Sequence, residues 1–193
     1  MQARSLPLVS LLCLVLTGCS AYTAHPLYTD QDAVLDPALV GTWVPKDESD
    51  KGELRVQRLG DHQYTLAVST PEENSVQTYV VTLVRLGNHL FADMIFDSET
   101  VAGKKIEPPV GAVPMHVIAR VEVTADQLSY ATLDSDAVEK QNPAEATPLK
   151  LLSASEGLII TDETDVLRGY ITTHAMDRFS EVDQLKRKKV SRQ

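Results

Sequence analysis

Histidine and acidic side chains are the first candidates for chemistry in this sequence. The five histidines lie far apart along the chain: His25, His62, His89, His116 and His174. No two of them have the short spacing that places two zinc ligands on one face of a strand or helix, and no His-Glu-x-x-His segment occurs. The sequence therefore predicts no metal site and no cofactor.

His116 is the most distinctive of these residues because it lies between Met115 and Val117, at the start of a strongly apolar segment. Paired with a nearby Asp or Glu, it could act as a general base. No Gly-x-Ser-x-Gly, Ser-x-x-Lys or phosphate-binding glycine loop accompanies it. A half-exposed histidine on a strand is the favoured interpretation, and a catalytic His116 remains the alternative.

The first residues have the zones of a secretory signal. Arg4 precedes an almost wholly apolar run over residues 6–16. This run is too short to cross a bilayer as a permanent helix. Residues 1–18 are therefore predicted to be a signal peptide.

Leu16-Thr17-Gly18-Cys19 follows this run and resembles the lipobox of bacterial lipoproteins. The resemblance implies cleavage between Gly18 and Cys19, diacylglycerol on the Cys19 sulfur, and a further palmitate-like chain on the new amine. Two or more acyl chains anchor a protein stably, whereas one chain binds reversibly. By the family's sorting rule, Ser20 favours the outer membrane, with the protein facing the periplasm.

The same processing would remove both cysteines from other chemistry. Cys13 leaves with the signal peptide, and Cys19 carries the lipid. Disulfides, cysteine-based metal sites and cysteine nucleophiles are therefore excluded from the processed chain.

The charge is acidic and unevenly distributed. The net charge is −9, with 18 basic and 27 acidic residues. Residues 184–193 are basic and lack acidic residues, so the preceding part is more acidic still. An acidic body argues against nucleic acid as a partner. Residues 184–193 are predicted to be a basic tail.

Alternation of apolar and polar residues predicts strands between Leu39 and Thr161. Leu90, Ala92, Met94 and Phe96 give one example of this period of two. The segments Gly60-Asp61, Gly87-Asn88 and, more weakly, Ala125-Asp126 are predicted hairpin tips, because the first two supply residues that tolerate positive φ. Residues 98–114 are predicted to be a long loop, since they are rich in proline and glycine.

The remaining segments complete the predicted organisation. Residues 19–35, with the lipidated cysteine, form a tether, and residues 36–183 form one domain. An apolar stripe that includes Val166, Leu167, Tyr170 and Ile171 predicts a C-terminal helix on the sheet. The fold class is therefore mainly β: an antiparallel meander that closes into a barrel or forms a strongly curved sheet or sandwich, with a packed helix.

Asp36-Pro37-Ala38-Leu39-Val40-Gly41-Thr42-Trp43 resembles the start of a lipocalin barrel. The resemblance implies that a short helical turn leads into the first strand and that Trp43 plugs one barrel end. The family also has an arginine on its last strand that stacks on this tryptophan. No arginine is assigned to that role here, because Arg168 falls in the predicted helix.

Together these observations predict a membrane-tethered, non-enzymatic binding or scaffold module for an apolar ligand or a partner protein. The candidate inward-facing, ligand-contacting residues are Tyr64, Tyr79, Met94, Phe96 and Tyr130. Two alternatives remain: a small envelope hydrolase that uses His116 with a carboxylate, and a structural accessory subunit of an envelope complex.

Overall fold

The computed structural model describes residues 20–29, 31–47, 51–145, 147–155 and 157–189. The predicted signal peptide, Gly18 and Cys19 lie outside the described residues, as do positions 190–193 of the predicted tail. In the described part of the chain, no helix is long and apolar enough to cross a membrane.

The chain is mainly β. Its strands are β1 (Tyr22–Thr23), β2 (Ala33–Val34), β3 (Gly41–Pro45), β4 (Glu53–Leu59), β5 (Gln63–Thr70), β6 (Ser75–Leu86), β7 (His89–Val101), β8 (Lys104–Ile106), β9 (His116–Val123), β10 (Gln127–Thr132), β11 (Leu151–Ala154), β12 (Gly157–Ile160) and β13 (Asp183–Arg187). The α-helices of the described residues are α1 (Ser135–Gln141) and α2 (Thr164–Thr173), and 3-10 helices span Pro37–Leu39 and Asn142–Ala144.

Eight of the described strands close into an antiparallel barrel in the order β9-β10-β13-β3-β4-β5-β6-β7, and β7 pairs back onto β9. The fold is therefore a lipocalin-like barrel with a C-terminal helix, as the sequence predicted. The predicted hairpin tips connect β4 to β5, β6 to β7 and β9 to β10. Gly60 and Gly87 have φ values of 64° and 57°, which explains the glycine at both tips.

Alternating residues divide the apolar side chains into two clusters. Residues of one parity fill the barrel interior, among them Leu66, Leu83 and Val121. Residues of the other parity, including Phe91 and Ile118, pack outside the wall against Leu167 and Ile171 of α2. The barrel wall between β7 and β9 is thus buried on both faces, and α2 covers it.

The predicted tether is wrong for the residues from Ser20 onward. Ala21, Thr23 and Leu27 are fully buried. β1 pairs with β9 on one side and with β12 on the other. The prediction failed because the buried residues of this segment follow no regular spacing in the sequence. Their contacts with β9 and β12 form only in the folded chain.

The predicted basic tail is wrong for residues 184–187, which belong to β13. This strand lies between β10 and β3 and completes the barrel. Its exposed positions are Gln184 and Lys186, and Leu185 is its buried apolar residue. The strand therefore lacks the apolar alternation by which the other strands were predicted.

The predicted loop 98–114 is also shorter than expected. β7 continues to Val101 and forms a hairpin with β8. The turn is made by Ala102 and Gly103, whose φ values are 50° and 81°. Residues 107–115 remain as a connection without secondary structure, here called the mouth loop.

Candidate functional site

One end of the barrel, here called the closed end, is sealed by the 3-10 helix and Trp43. The Trp43 indole is fully buried and donates a hydrogen bond to the Leu39 carbonyl at 2.9 Å. The Tyr64 hydroxyl bonds both backbone groups of Asp36, and burial raises the pKa of Tyr64. Trp43 is therefore buried against the 3-10 helix, and the Tyr64 hydroxyl is bonded to the backbone that leads into this helix.

Arg187 is the stacking arginine that the sequence analysis did not find. Its guanidinium lies 4.1 Å from the centroid of the Trp43 ring. It also donates to the carbonyl oxygens of Val40 at 2.7 Å and Ala38 at 2.6 Å. Arg187 of β13 therefore stacks on Trp43 of β3, an arrangement similar to the one that the lipocalin resemblance implies.

The barrel interior is almost filled by side chains. A cavity of about 60 Å³ remains, and Met94 and Tyr130 are among its lining residues. A cavity of about 150 Å³ is needed to hold even benzene, and ordinary ligand pockets measure about 300–1,000 Å³. The interior of this barrel is therefore too small for an apolar ligand of ordinary size.

A larger recess lies at the opposite end, where β7 leaves the barrel and β9 enters it. This mouth recess has a volume of about 370 Å³. Its walls are the mouth loop together with strand residues that include Tyr22, Gln77, Tyr79, Ile95, Phe96 and Val117. The recess is within the size range of small-molecule sites, and its lining is mainly apolar and aromatic.

Two aromatic rings form one wall of the mouth recess. Tyr79 and Phe96 pack edge to face with 5.7 Å between ring centroids. The Tyr79 hydroxyl donates to the Gln77 amide oxygen at 2.9 Å, so the polar atoms gather at one side of the wall. Phe96 was predicted to point into the barrel, but it is 37% exposed and lies at the mouth. It sits beside the register shift at Thr78/Tyr79, where regular pairing of β6 and β7 is interrupted.

The structure brings His116 together with Asp93, one of the carboxylates near the centre of the sequence. His116 Nδ1 lies 2.6 Å from Asp93 Oδ1, and the two side chains are 8% and 0% exposed. The other Asp93 oxygen accepts the Leu27 backbone N–H at 2.7 Å. The predicted half-exposed strand histidine is therefore wrong, because His116 is buried in the wall beneath the N-terminal segment.

Neither Asp93 nor His116 lines the mouth recess, although Ile95, which pairs with His116, does. Met115 and Val117 line the recess, whereas His116, between them in sequence, points to the other face of β9. The pair fixes the segment around Leu27 to the barrel. Arg168 of α2 holds the same segment by donating to the Leu27 carbonyl at 3.0 Å.

A second polar cluster, around Arg178, was not predicted from the sequence. Arg178 is buried and forms ion pairs with Glu145 and Asp177, each at 2.6 Å. Burial opposes its charge most strongly, but the hydrogen bond to Glu145 and the neighbouring Tyr170 and Asp177 side chains together outweigh this effect and raise the pKa of Arg178. His174 lies 3.4 Å from both carboxylates. The cluster joins the segment after α2 to the segment after α1. Arg178 and Glu145 are 33 residues apart, so no local sequence pattern predicts their pairing.

Metal binding finds no geometric support in these clusters. Across the described ranges, no group of three or more histidine, cysteine or acidic residues could hold a metal ion. The mouth recess is the candidate functional site because its lining is mainly apolar and aromatic.

Comparison with known proteins adds no further identification. No protein-family model matches the chain, and no curated protein or solved structure shows a significant match.

Proposed function

We propose that this protein is a membrane-tethered lipoprotein of a bacterial cell envelope that binds an apolar chain in the mouth recess. The tether is a lipid on Cys19, supported by the apolar run that ends in Leu16-Thr17-Gly18-Cys19. Ser20 favours the outer membrane, facing the periplasm. The observation that carries the binding function is the mouth recess itself.

The recess suits one end of an acyl chain better than a polar metabolite. Its volume of about 370 Å³ is bounded by aromatic and aliphatic side chains, with Gln77 as a polar member of the wall. Removing apolar surface from water drives such binding at about 25 cal/mol per Å². The carboxyl or ester group of the ligand would remain near Gln77 and the solvent.

The lipid anchor is tested by mass spectrometry of the processed protein. The expected N-terminal peptide begins at Cys19 and carries the added mass of its acyl chains. A processed chain that begins elsewhere, or that begins at Cys19 without acyl chains, contradicts the proposed anchor.

The binding site is tested by titration with a fluorescent fatty acid such as cis-parinaric acid. Ala112→Phe places a ring in the mouth recess and is expected to weaken binding at least tenfold, because it occupies the ligand's volume. Ala144→Phe is the matched control, because Ala144 is exposed on the 3-10 helix outside the recess. Equal affinities of the two variants would contradict the site.

The hydrolase remains a second candidate because of the short Asp93–His116 contact. An oriented histidine is the geometry of a general base. The pair is buried, however, and Asp93 also bonds the Leu27 backbone. We therefore assign it the role of fixing the N-terminal segment to the wall.

His116→Ala separates the two roles of this pair. The structural role predicts a lower unfolding temperature and greater proteolysis near Leu27, with fatty-acid binding retained. A hydrolase would instead lose activity on envelope substrates while its stability stayed unchanged.

A scaffold role with a protein partner is the remaining alternative. Crosslinking in living cells followed by mass spectrometry tests it. A stoichiometric protein partner crosslinked through the mouth loop would favour the scaffold over the apolar ligand.

A further inference from the structure

The mouth loop exposes apolar side chains at one end of the barrel. Val110 is fully exposed and Val113 is 66% exposed. Ile106 of the preceding β8 strand is also exposed. Pro108 and Pro109 restrict the backbone between Ile106 and Val110, so the loop presents these groups on a stiffened chain. Single exposed apolar residues are ordinary, but three within eight positions on one projection indicate a contact surface.

The described chain begins three residues before Thr23, which pairs with His116 at the mouth end of β9. Ser20 forms a bridge with Asp134, just beyond the end of β10, and Tyr22 lines the mouth recess together with Val113. Three residues of fully extended chain span about 10 Å, so a group attached at Cys19 is tethered to Tyr22 by no more than that length. A lipid on Cys19 therefore holds this end of the barrel, without the long tether that was expected.

We propose that the barrel lies mouth-down on the lipid bilayer, with Val110 and Val113 of the mouth loop inserted among the lipid headgroups and upper acyl chains. This inference rests on the proposed anchor at Cys19. It also identifies the source of the apolar ligand, because the mouth recess then opens toward membrane lipid.

Charge favours an apolar contact over an electrostatic one. Lys104 and Lys105 are offset by Asp97, Glu99 and Glu107 in the same segment. Lys105 and Glu107 form an ion pair at 2.9 Å. Anionic lipids therefore gain little attraction here, and vesicles of zwitterionic lipid should suffice.

The closed end of the barrel exposes its apolar side chains less fully: among the described residues there, Leu35, Val40 and Leu59 are 36%, 39% and 42% exposed. Its turns are Gly60-Asp61, Gly87-Asn88 and Ala125-Asp126, which are small and polar. The contrast between the two ends gives the domain a definite orientation once its N-terminus is anchored.

The experiment uses the acylated protein in phosphatidylcholine vesicles, with and without brominated acyl chains that quench fluorescence on contact. An environment-sensitive fluorophore is attached at Val110→Cys and, as the matched control, at the exposed Asp61→Cys. The processed chain has no other free thiol, because Cys13 is removed and the Cys19 sulfur carries the lipid. Val110 is expected to show a blue shift and several-fold greater quenching than Asp61, unaffected by salt.

The outcomes separate this inference from the anchor on which it rests. An acylated chain whose Val110 position is quenched no more than Asp61 overturns the orientation alone. A blue shift at Val110 without quenching also overturns it, because a second copy or another protein then covers the loop. A chain without acyl groups in the mass spectrum overturns the anchor and the orientation together.

Discussion

Arg187 makes a set of contacts at the closed end of the barrel whose energetic value can be worked out. The guanidinium stacks on Trp43 at 4.1 Å and binds the Ala38 and Val40 carbonyls of the chain that leads into β3. It also donates to the Ala125 carbonyl in the β9–β10 turn. One side chain therefore joins the first strand, the last strand and a hairpin turn.

Replacing Arg187 by Met removes these contacts while keeping an apolar stem of similar length. The stacking contributes about 1 kcal/mol. The bond to Ala38 is partly buried and its loss costs about 1–2 kcal/mol, whereas the two exposed carbonyls are resolvated and cost about 0.5 kcal/mol each. We expect Arg187→Met to lower the free energy of unfolding by at least about 3 kcal/mol.

Urea unfolding of a soluble chain that begins at Ser20 measures this loss. Trp43 is the only tryptophan, so its fluorescence reports the environment of the plug directly. Circular dichroism in the same samples shows whether the barrel unfolds with the plug. In thermal unfolding the same loss corresponds to about 6–12 °C, at about 2–4 °C per kcal/mol for a chain of this size.

Lys186→Met is the matched control because it removes the same charge from the neighbouring exposed position of β13. Its effect should stay within about 0.5 kcal/mol. Arg187→Lys should fall between wild type and Arg187→Met, because an ammonium keeps the charge but lacks the planar fork. Equal stabilities of the Met variants at positions 186 and 187 would refute the reasoning.

Two further predictions concern Gly41 of β3 and Lys188, which follows β13. Gly41→Ala should destabilise the protein in thermal unfolding, because the added Cβ would clash with the Arg187 guanidinium and the backbone φ of 150° disfavours a side chain. Gly169→Ala in α2 is the control. Its Cβ meets no other atom, so this variant should be neutral or stabilising. The Lys188 ammonium holds the pKa of Glu53 below its ordinary value of 4.5, so this ion pair stabilises the fold above that pH and is lost as the pH falls. In urea unfolding at neutral pH, Glu53→Gln should therefore be less stable than wild type by less than about 1 kcal/mol. The difference should vanish in acid, where Glu53 is protonated. A difference that grows in acid would contradict this prediction.

The closed end and the hairpins follow from local sequence signals. Gly60 and Gly87 mark their turns because the required positive φ is a property of the residue itself. The strands that flank them alternate because one face of each meets the barrel interior. Trp43 was identified from a few neighbouring residues, since the 3-10 helix that positions it is adjacent in the chain.

The contacts that hold the closed end and fix the N-terminal segment to the wall join distant parts of the chain. Arg187 reaches Ala38 across 149 residues, and Asp93 reaches the Leu27 backbone across 66. The local spacing of apolar and polar residues does not predict such contacts, because they depend on which strands become neighbours when the barrel closes. The charged face of β13 therefore looked like a tail, and the buried N-terminal segment looked like a tether.

The sequence by itself determined the β alternation, the turn positions, the plug tryptophan and the lipobox-like segment, each through residues close together in the chain. Only the tertiary structure decided that the barrel interior is nearly filled and that a recess lies at its mouth. The volume left inside a barrel depends on how side chains from all its strands pack against one another. This volume is set by the register of the strands and by the closure of the barrel. Both depend on contacts between residues that are distant in sequence.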